Sequence, residues 1–243
     1  MAKISPLNSN TQIVEGDEKV GFSITRPFQS FLNQIEALKV KVGTDQVGVH
    51  VDDDGIVRIG DGVDNYVEFD VDGTQTMVGT ARKYRHIRVG AGSWKGGVSA
   101  PAAGFIGIIP TIDFDTASDD ESHYSVLVPY RFESGSTINF AIDWTYEGVQ
   151  DNGTVCWGIE YICLGDGDTV DGSTTTSLET TAGSHTTGTM IRTIFTTGIT
   201  GAHAHDVLAV RVYRDVSGDD LVADACLIET HFEFIMNKMG EDT

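Results

Sequence analysis

Two histidines one residue apart, His203 and His205, are the pair in this chain best placed to hold a metal. Alternate residues of a β-strand point the same way. On a strand, three copies around an axis would present six imidazoles to one divalent ion, an octahedral set. The simpler reading is two histidines at the start of a strand. Acids offer a second chemistry. In HVDDDGIVRIGDGVDNYVEFDVDG, residues 50–73, an EF-hand frame with Gly55 sixth puts His50 first and Asp61 twelfth. The loop needs an acid first and a Glu twelfth, between helices. The flanks alternate like strands, so the EF-hand is excluded and a looser cation site is left. Asp166, Asp168 and Asp171 in GDGDTVDG pose the same choice between a loose cation site and a solvated turn. Asp143 and Glu160 sit at polar positions of apolar segments. Paired carboxylates can hydrolyse glycosides, but outward acids on a sandwich are ordinary.

No G-x-S-x-G, H-E-x-x-H, P-loop or dinucleotide fingerprint occurs. The expectation is a non-enzyme without a cofactor. The cysteines number three, Cys156, Cys163 and Cys226, with no Cys-x-x-Cys. That disfavours a disulfide scaffold or zinc ribbon and reads as small buried apolar residues. Trp144, Tyr146, Trp157 and Tyr161 resemble a carbohydrate platform on paper. Their alternation with Ile and Val says core first.

These residues must be positioned by a chain of 243 residues, 40% hydrophobic and 21% charged, ordinary for a folded protein. Its 28 glycines and 5 prolines, with Thr, Ser and Asp between apolar runs, read as an all-β chain with many turns. A net charge of −20 repels phosphate backbones, so nucleic acid is not an expected partner. Arg82, Lys83, Arg85, Arg88 and Lys95 gather the positive charge, as partners for nearby acids or as a docking patch. No apolar leader begins the sequence and no run of eighteen apolar residues interrupts it. The expectation is a chain made in a cytoplasm, without a membrane span.

Residues 1–24 carry isolated apolar anchors, Ile13, Val14, Val20, Phe22 and Ile24, too few for a core of their own. RPFQSFLNQIEALKVKVG follows: Pro27 suits a first helical turn and Gly43 a stop. Phe28, Phe31, Leu32, Ile35, Leu38 and Val42 keep helical spacing, a short heptad seam or an ordinary amphipathic helix. Then Val47, Val49 and Val51, Ile56, Val57 and Ile59, and Val67, Phe69 and Val71 mark short strands joined by acidic turns. Such strands bury too little alone. Three copies with the valines toward a common axis would bury enough, with the acids outward. From Phe105 the strands lengthen. One face carries Tyr124, Val126, Val128, Tyr130 and Phe132; the next Ile138, Phe140, Ile142, Trp144 and Tyr146; the next Val155, Trp157, Ile159, Tyr161 and Cys163. Leu208, Val210 and Val212 follow, then Cys226, Ile228, Phe232, Phe234 and Met236. About eight antiparallel strands, with long loops at 115–122, 147–153 and 165–188, fit a β-sandwich, most simply a jelly roll.

The predicted architecture is therefore mainly β and trimeric: a docking tail with a short helix (1–43), a repetitive β stalk (44–83) and an antiparallel jelly-roll head (84–243). This order resembles the fibres and spikes of tailed bacteriophages. ISPLNSNTQIVEGDEKVGFSITRPFQSFLNQIEAL is similar to an N-terminal module of phage virion proteins, with Ile13-Val14 and Phe28 to Asn33 as the matching residues. The aromatic pair that such modules carry before the helix is missing here. DWTYEG, WGIEYICLGDGD and DVLAVRVYRDVSGDD look like jelly-roll heads of phage fibres. The resemblance implies a virion structural protein, tail-attached or a head fibre or capsid decoration protein. Ile13, Val14, Phe22, Phe28, Phe31 and Leu32 would dock on tail, portal-proximal or capsid proteins. Ile35, Leu38, Val42, Val47, Val49 and Val51 would line a homotrimer axis. The head would face outward to a host-surface glycan or protein. A polysaccharide depolymerase and a monomeric carbohydrate-binding module are the remaining alternatives.

Overall fold

The computed structural model of this chain describes residues 14–17, 21–24, 48–51, 54–148, 153–182 and 186–239. The described residues are mainly β, in antiparallel pairs, with three short 3-10 turns. Two compact units divide between Gly73 and Thr74.

In the first unit, β1 (Val14–Asp17) pairs with β2 (Gly21–Ile24), Val14 opposite Ile24. A polar tail too short to show periodicity thus holds a hairpin, with Val14 and Phe22 on its two strands. The helix expected within 27–42, with Phe28, Phe31, Leu32, Ile35, Leu38 and Val42, lies outside the described residues, as do Ile13 and Val47. β3 (Gly48–Val51), β4 (Val57–Gly60) and β5 (Tyr66–Phe69) form a meander. Val49 faces Ile59 and Ile59 faces Val67, so the alternating apolar residues fall on one side. Val49 is 44% and Ile59 47% exposed in one copy.

The acidic turn after β4 has its own explanation. Asp61 Oδ1 accepts the backbone N–H groups of Asn65, Asp64 and Val63 at 2.8, 2.9 and 3.0 Å, and Oδ2 accepts the Asn65 side-chain amide at 3.0 Å. These bonds, the Asn65 N–H foremost, hold the carboxyl far below the usual range. Gly60 before it has φ 145°, and a Cβ there would stand 2.2 Å from the Asn65 carbonyl oxygen. The carboxylate closes the turn by capping it, a task that needs no cation.

The second unit begins with β6 (Gln75–Val78), β7 (Lys83–Gly90), β8 (Lys95–Gly96) and β9 (Ala102–Ile106). Then come β10 (Ile109–Phe114), β11 (Glu121–Leu127), β12 (Asn139–Thr145), β13 (Thr154–Leu164) and β14 (Thr175–Ala182). β15 (Ile191–Ile194), β16 (Val207–Arg214), β17 (Ala225–Met236) and β18 (Lys238–Met239) complete it, with β18 pairing β6. One sheet runs β15-β12-β17-β10-β9, with β7 also against β17; the other runs β14-β13-β16-β11-β8. The pairings are nested: β10 with β17, β11 with β16, β12 with β15, β13 with β14. A long antiparallel hairpin folded over on itself gives this order.

The sheets face each other across one apolar core, because strands such as β12, β13, β16 and β17 bury one face. Ile138, Phe140, Ile142, Trp144 and Tyr146 are all at most 1% exposed, as their spacing predicted. Phe114 meets Trp157 edge-on at 5.0 Å between sheets, and Trp144 lies 6.1 Å from Trp157. The Trp144 indole N–H donates to Thr193 Oγ1 at 2.9 Å, so burying the ring leaves no orphan donor there. Each such ring contributes about 1.5–3 kcal/mol through burial alone.

Three expectations are corrected. The face drawn through Cys226 and Ile228 breaks, because the register against β12 shifts between Asp143 and Trp144. Ile228 is the extra residue, and Leu227 and Ala225 enter the core instead. The loop placed at 165–188 contains a strand, β14, whose Thr-rich sequence buries only Ser177. It is an edge strand, so it needs little apolar content. His203 and His205 do not alternate on a strand as a metal pair would require; both lie in the turn before β16, as the simpler reading has it, and His205 has φ 72°.

Candidate functional site

Asp143 is the most deeply buried acid on the outer side of the first sheet, its side chain 1% exposed. Its neighbours in the strand, Ile142 and Trp144, point into the core. Antiparallel pairing sets Arg192 of β15 on one side of it and Glu229 of β17 on the other. Arg192 grips both carboxylate oxygens, Nε to Oδ1 at 2.6 Å and Nη2 to Oδ2 at 2.7 Å. His231 Nε2 lies 2.7 Å from Asp143 Oδ2, 3.3 Å from Glu229 Oε1 and 3.3 Å from Arg192 Nη2. Arg88 of β7 closes the row 3.6 Å from Glu229. The bulge at Ile228 falls beside this group, where such irregularities commonly re-aim side chains.

Burial pushes the Asp143 carboxyl up, but the bonds from Arg192 and His231 outweigh it and hold the group below its usual range. Asp143 in turn raises Arg192. Asp143, Glu229 and His231 offer three ligand atoms within 4.8 Å of one another, a spacing a metal could use. The donor set argues for a different use. A fixed guanidinium already neutralises Asp143, and the His231 nitrogen that would bind a cation is hydrogen-bonded to the carboxylate. Two acids, Asp143 and Glu229, face two arginines, Arg192 and Arg88. Beside it lies a depression of about 350 Å³, floored by Ala141 and walled by Arg192, Ile194, His231, Glu233 and His86.

The residues singled out in the sequence are mostly not brought together here. Asp143 and Glu160 point outward from opposite sheets, so they cannot flank one glycosidic bond. Trp144, Tyr146, Trp157 and Tyr161 are core. His203 Nδ1 stands 3.6 Å from Asp206, and the His205 ring packs 5.4 Å from Tyr130. Asp168 accepts the Gly165 N–H at 2.8 Å, closing its own turn. Of the basic stretch, Arg82 lies 2.6 Å from Glu133 and Arg88 3.6 Å from Glu229. Burial raises all three thiols, Cys163 to about 11.

The loops around 115–120 and 165–174 lie at opposite ends of the second unit. Residues 115–120 join the end of β16, where the Val216 N–H donates to Asp119 at 3.0 Å. Residues 165–174 follow β13 at the end where β16 begins, Leu164 opposite Val207.

What sequence reading missed is Arg192, Glu229 and His231. Each is a polar residue at an outward position of an apolar strand, a visible signal. Their convergence is not visible, since 49 residues separate Asp143 from Arg192 and 88 separate it from His231. Compared with models of protein families and with curated proteins, the chain matches none.

Proposed function

We propose that this chain is a bacteriophage virion structural protein, a tail-attached fibre or spike with a jelly-roll head. The nested pairing of β10 to β17 supports the reading, because a jelly roll pairs its strands in a nested order. Viral capsid proteins and lectins use this architecture. The first unit supports the same reading from another side. Strands β3 to β5 have four residues each and leave Val49 and Ile59 half exposed on one face. Three copies would cover that face and keep the capped acidic turns in water. Residues 1–43 dock on the particle, the trimer forms the stalk, and the second unit faces outward toward a host-surface ligand.

Gold-labelled antibody against residues 74–243 tests this on purified particles. Label at the tail tip is expected. Label over the capsid would favour a head fibre or decoration protein, and particles without label would overturn the virion assignment.

A further inference from the structure

The outer face of the β14-β13-β16-β11-β8 sheet carries a second groove, larger than the depression beside Asp143, at about 560 Å³. Register sets Glu160, Arg211, His123 and Lys95 in one row across four strands. The next row is Ile162, Ala209 and Ser125. The charged row thus walls a floor of small and apolar side chains. Three inter-strand spacings make it about 14 Å long, more than one sugar ring.

The hydrogen-bonding balance of this groove is lopsided. Glu160 Oε1 accepts the Thr174 hydroxyl, and Oε2 faces Arg211 Nε at 3.2 Å. Glu121 Oε1 accepts the Val98 N–H at 2.9 Å, and Oε2 faces Arg211 Nη1 at 3.1 Å. Each carboxylate thus has one hydrogen bond and one ion-pair contact, and Arg211 Nε makes no hydrogen bond of its own. The Arg211 guanidinium is also held over the Tyr213 ring at 4.7 Å, and that ring lies across Gly158, where a Cβ would come within 2.2 Å of it. Among the described residues Arg211 Nη2, Lys95 Nζ and the Ser125 hydroxyl have no partner. The surplus is of donors, two of them cationic, in a chain of net charge −20. A fixed guanidinium edge with free N–H groups is suited to a carboxylate.

We propose that this groove binds an acidic saccharide, its carboxylate on Arg211 and Lys95 and the C–H face of its ring over Ala209 and Ile162. The inference rests on the reading of an outward-facing head and names its ligand class. Calorimetric titration of the full chain with tri-galacturonic acid, its methyl ester and 3′-sialyllactose tests it. At least one acidic sugar is expected to bind, with the ester at least tenfold weaker than its parent acid if tri-galacturonate is that sugar. Lys95→Met and Ala209→Leu should each weaken binding at least tenfold with the unfolding midpoint unchanged. Equal binding of ester and acid, undiminished binding by Ala209→Leu, or no binding of either acidic sugar would overturn the proposal. Particle labelling, which none of these outcomes alters, separates that failure from failure of the fibre reading.

Discussion

Replacing Arg214 should damage this protein more than any other single surface-distant change. Arg214 ends β16 with its side chain 0% exposed, and every one of its five N–H groups has a partner. Two go to Asp219, itself 4% exposed, and three to the carbonyls of Phe114, Leu221 and Ala223. One guanidinium therefore ties the end of β10 and the 215–224 connection to β16. Arg214→Met leaves Asp219 charged and buried, and breaking a buried pair from one side costs about 3–5 kcal/mol. Three carbonyls without a donor add about 1 kcal/mol each. A loss of about 6–8 kcal/mol is comparable with the whole stability of many domains, about 5–15 kcal/mol. Removing both charges, Arg214→Met with Asp219→Leu, should recover at least about 2 kcal/mol, because no ion is then stranded. The assay is urea unfolding followed by fluorescence of the buried Trp144 and Trp157. A single variant within about 1 kcal/mol of the parent, or a double variant worse than the single one, would refute the reasoning.

Asp143→Asn should cost about 2–4 kcal/mol at neutral pH. Because the folded pKa of Asp143 is lowered, its contribution is full above the unfolded value near 3.9. It fades as pH falls through the folded value, so unfolding midpoints of parent and variant should converge in acid and separate above about pH 4. Gly158→Ala should displace the Tyr213 ring and cost about 1–3 kcal/mol, read as a lower thermal midpoint. Iodoacetamide at pH 8 should leave Cys163 and Cys226 largely unmodified in the folded protein and alkylate both in urea, as intact mass would show, since burial raises both thiols.

Much of the second unit was legible because long strands bury alternate residues, and Phe140, Ile142 and Trp144 or Trp157, Ile159 and Tyr161 state their own register. The bulge at Ile228 was not: a one-residue insertion leaves no local mark, yet it turns Ala225 and Leu227 into the inter-sheet cluster and leaves Cys226 buried outside it. Nor was β14, whose threonines need no apolar face at a sheet edge. The acidic turn after β4 was readable as a turn, while the capping role of Asp61 depends on three N–H groups that only the folded loop aims at one oxygen. The His203 and His205 argument assumed strand geometry where the chain turns. The Asp143 cluster and the Arg211 groove depend on register between strands far apart in sequence, which no local pattern encodes.

The central claim is that three copies build the first unit together. Light scattering of the full chain, beside a chain lacking residues 1–73, tests it most directly. The account predicts a mass near three times 26.2 kDa for the full chain, falling on truncation. A full-length monomer that keeps β3 to β5 folded would contradict it.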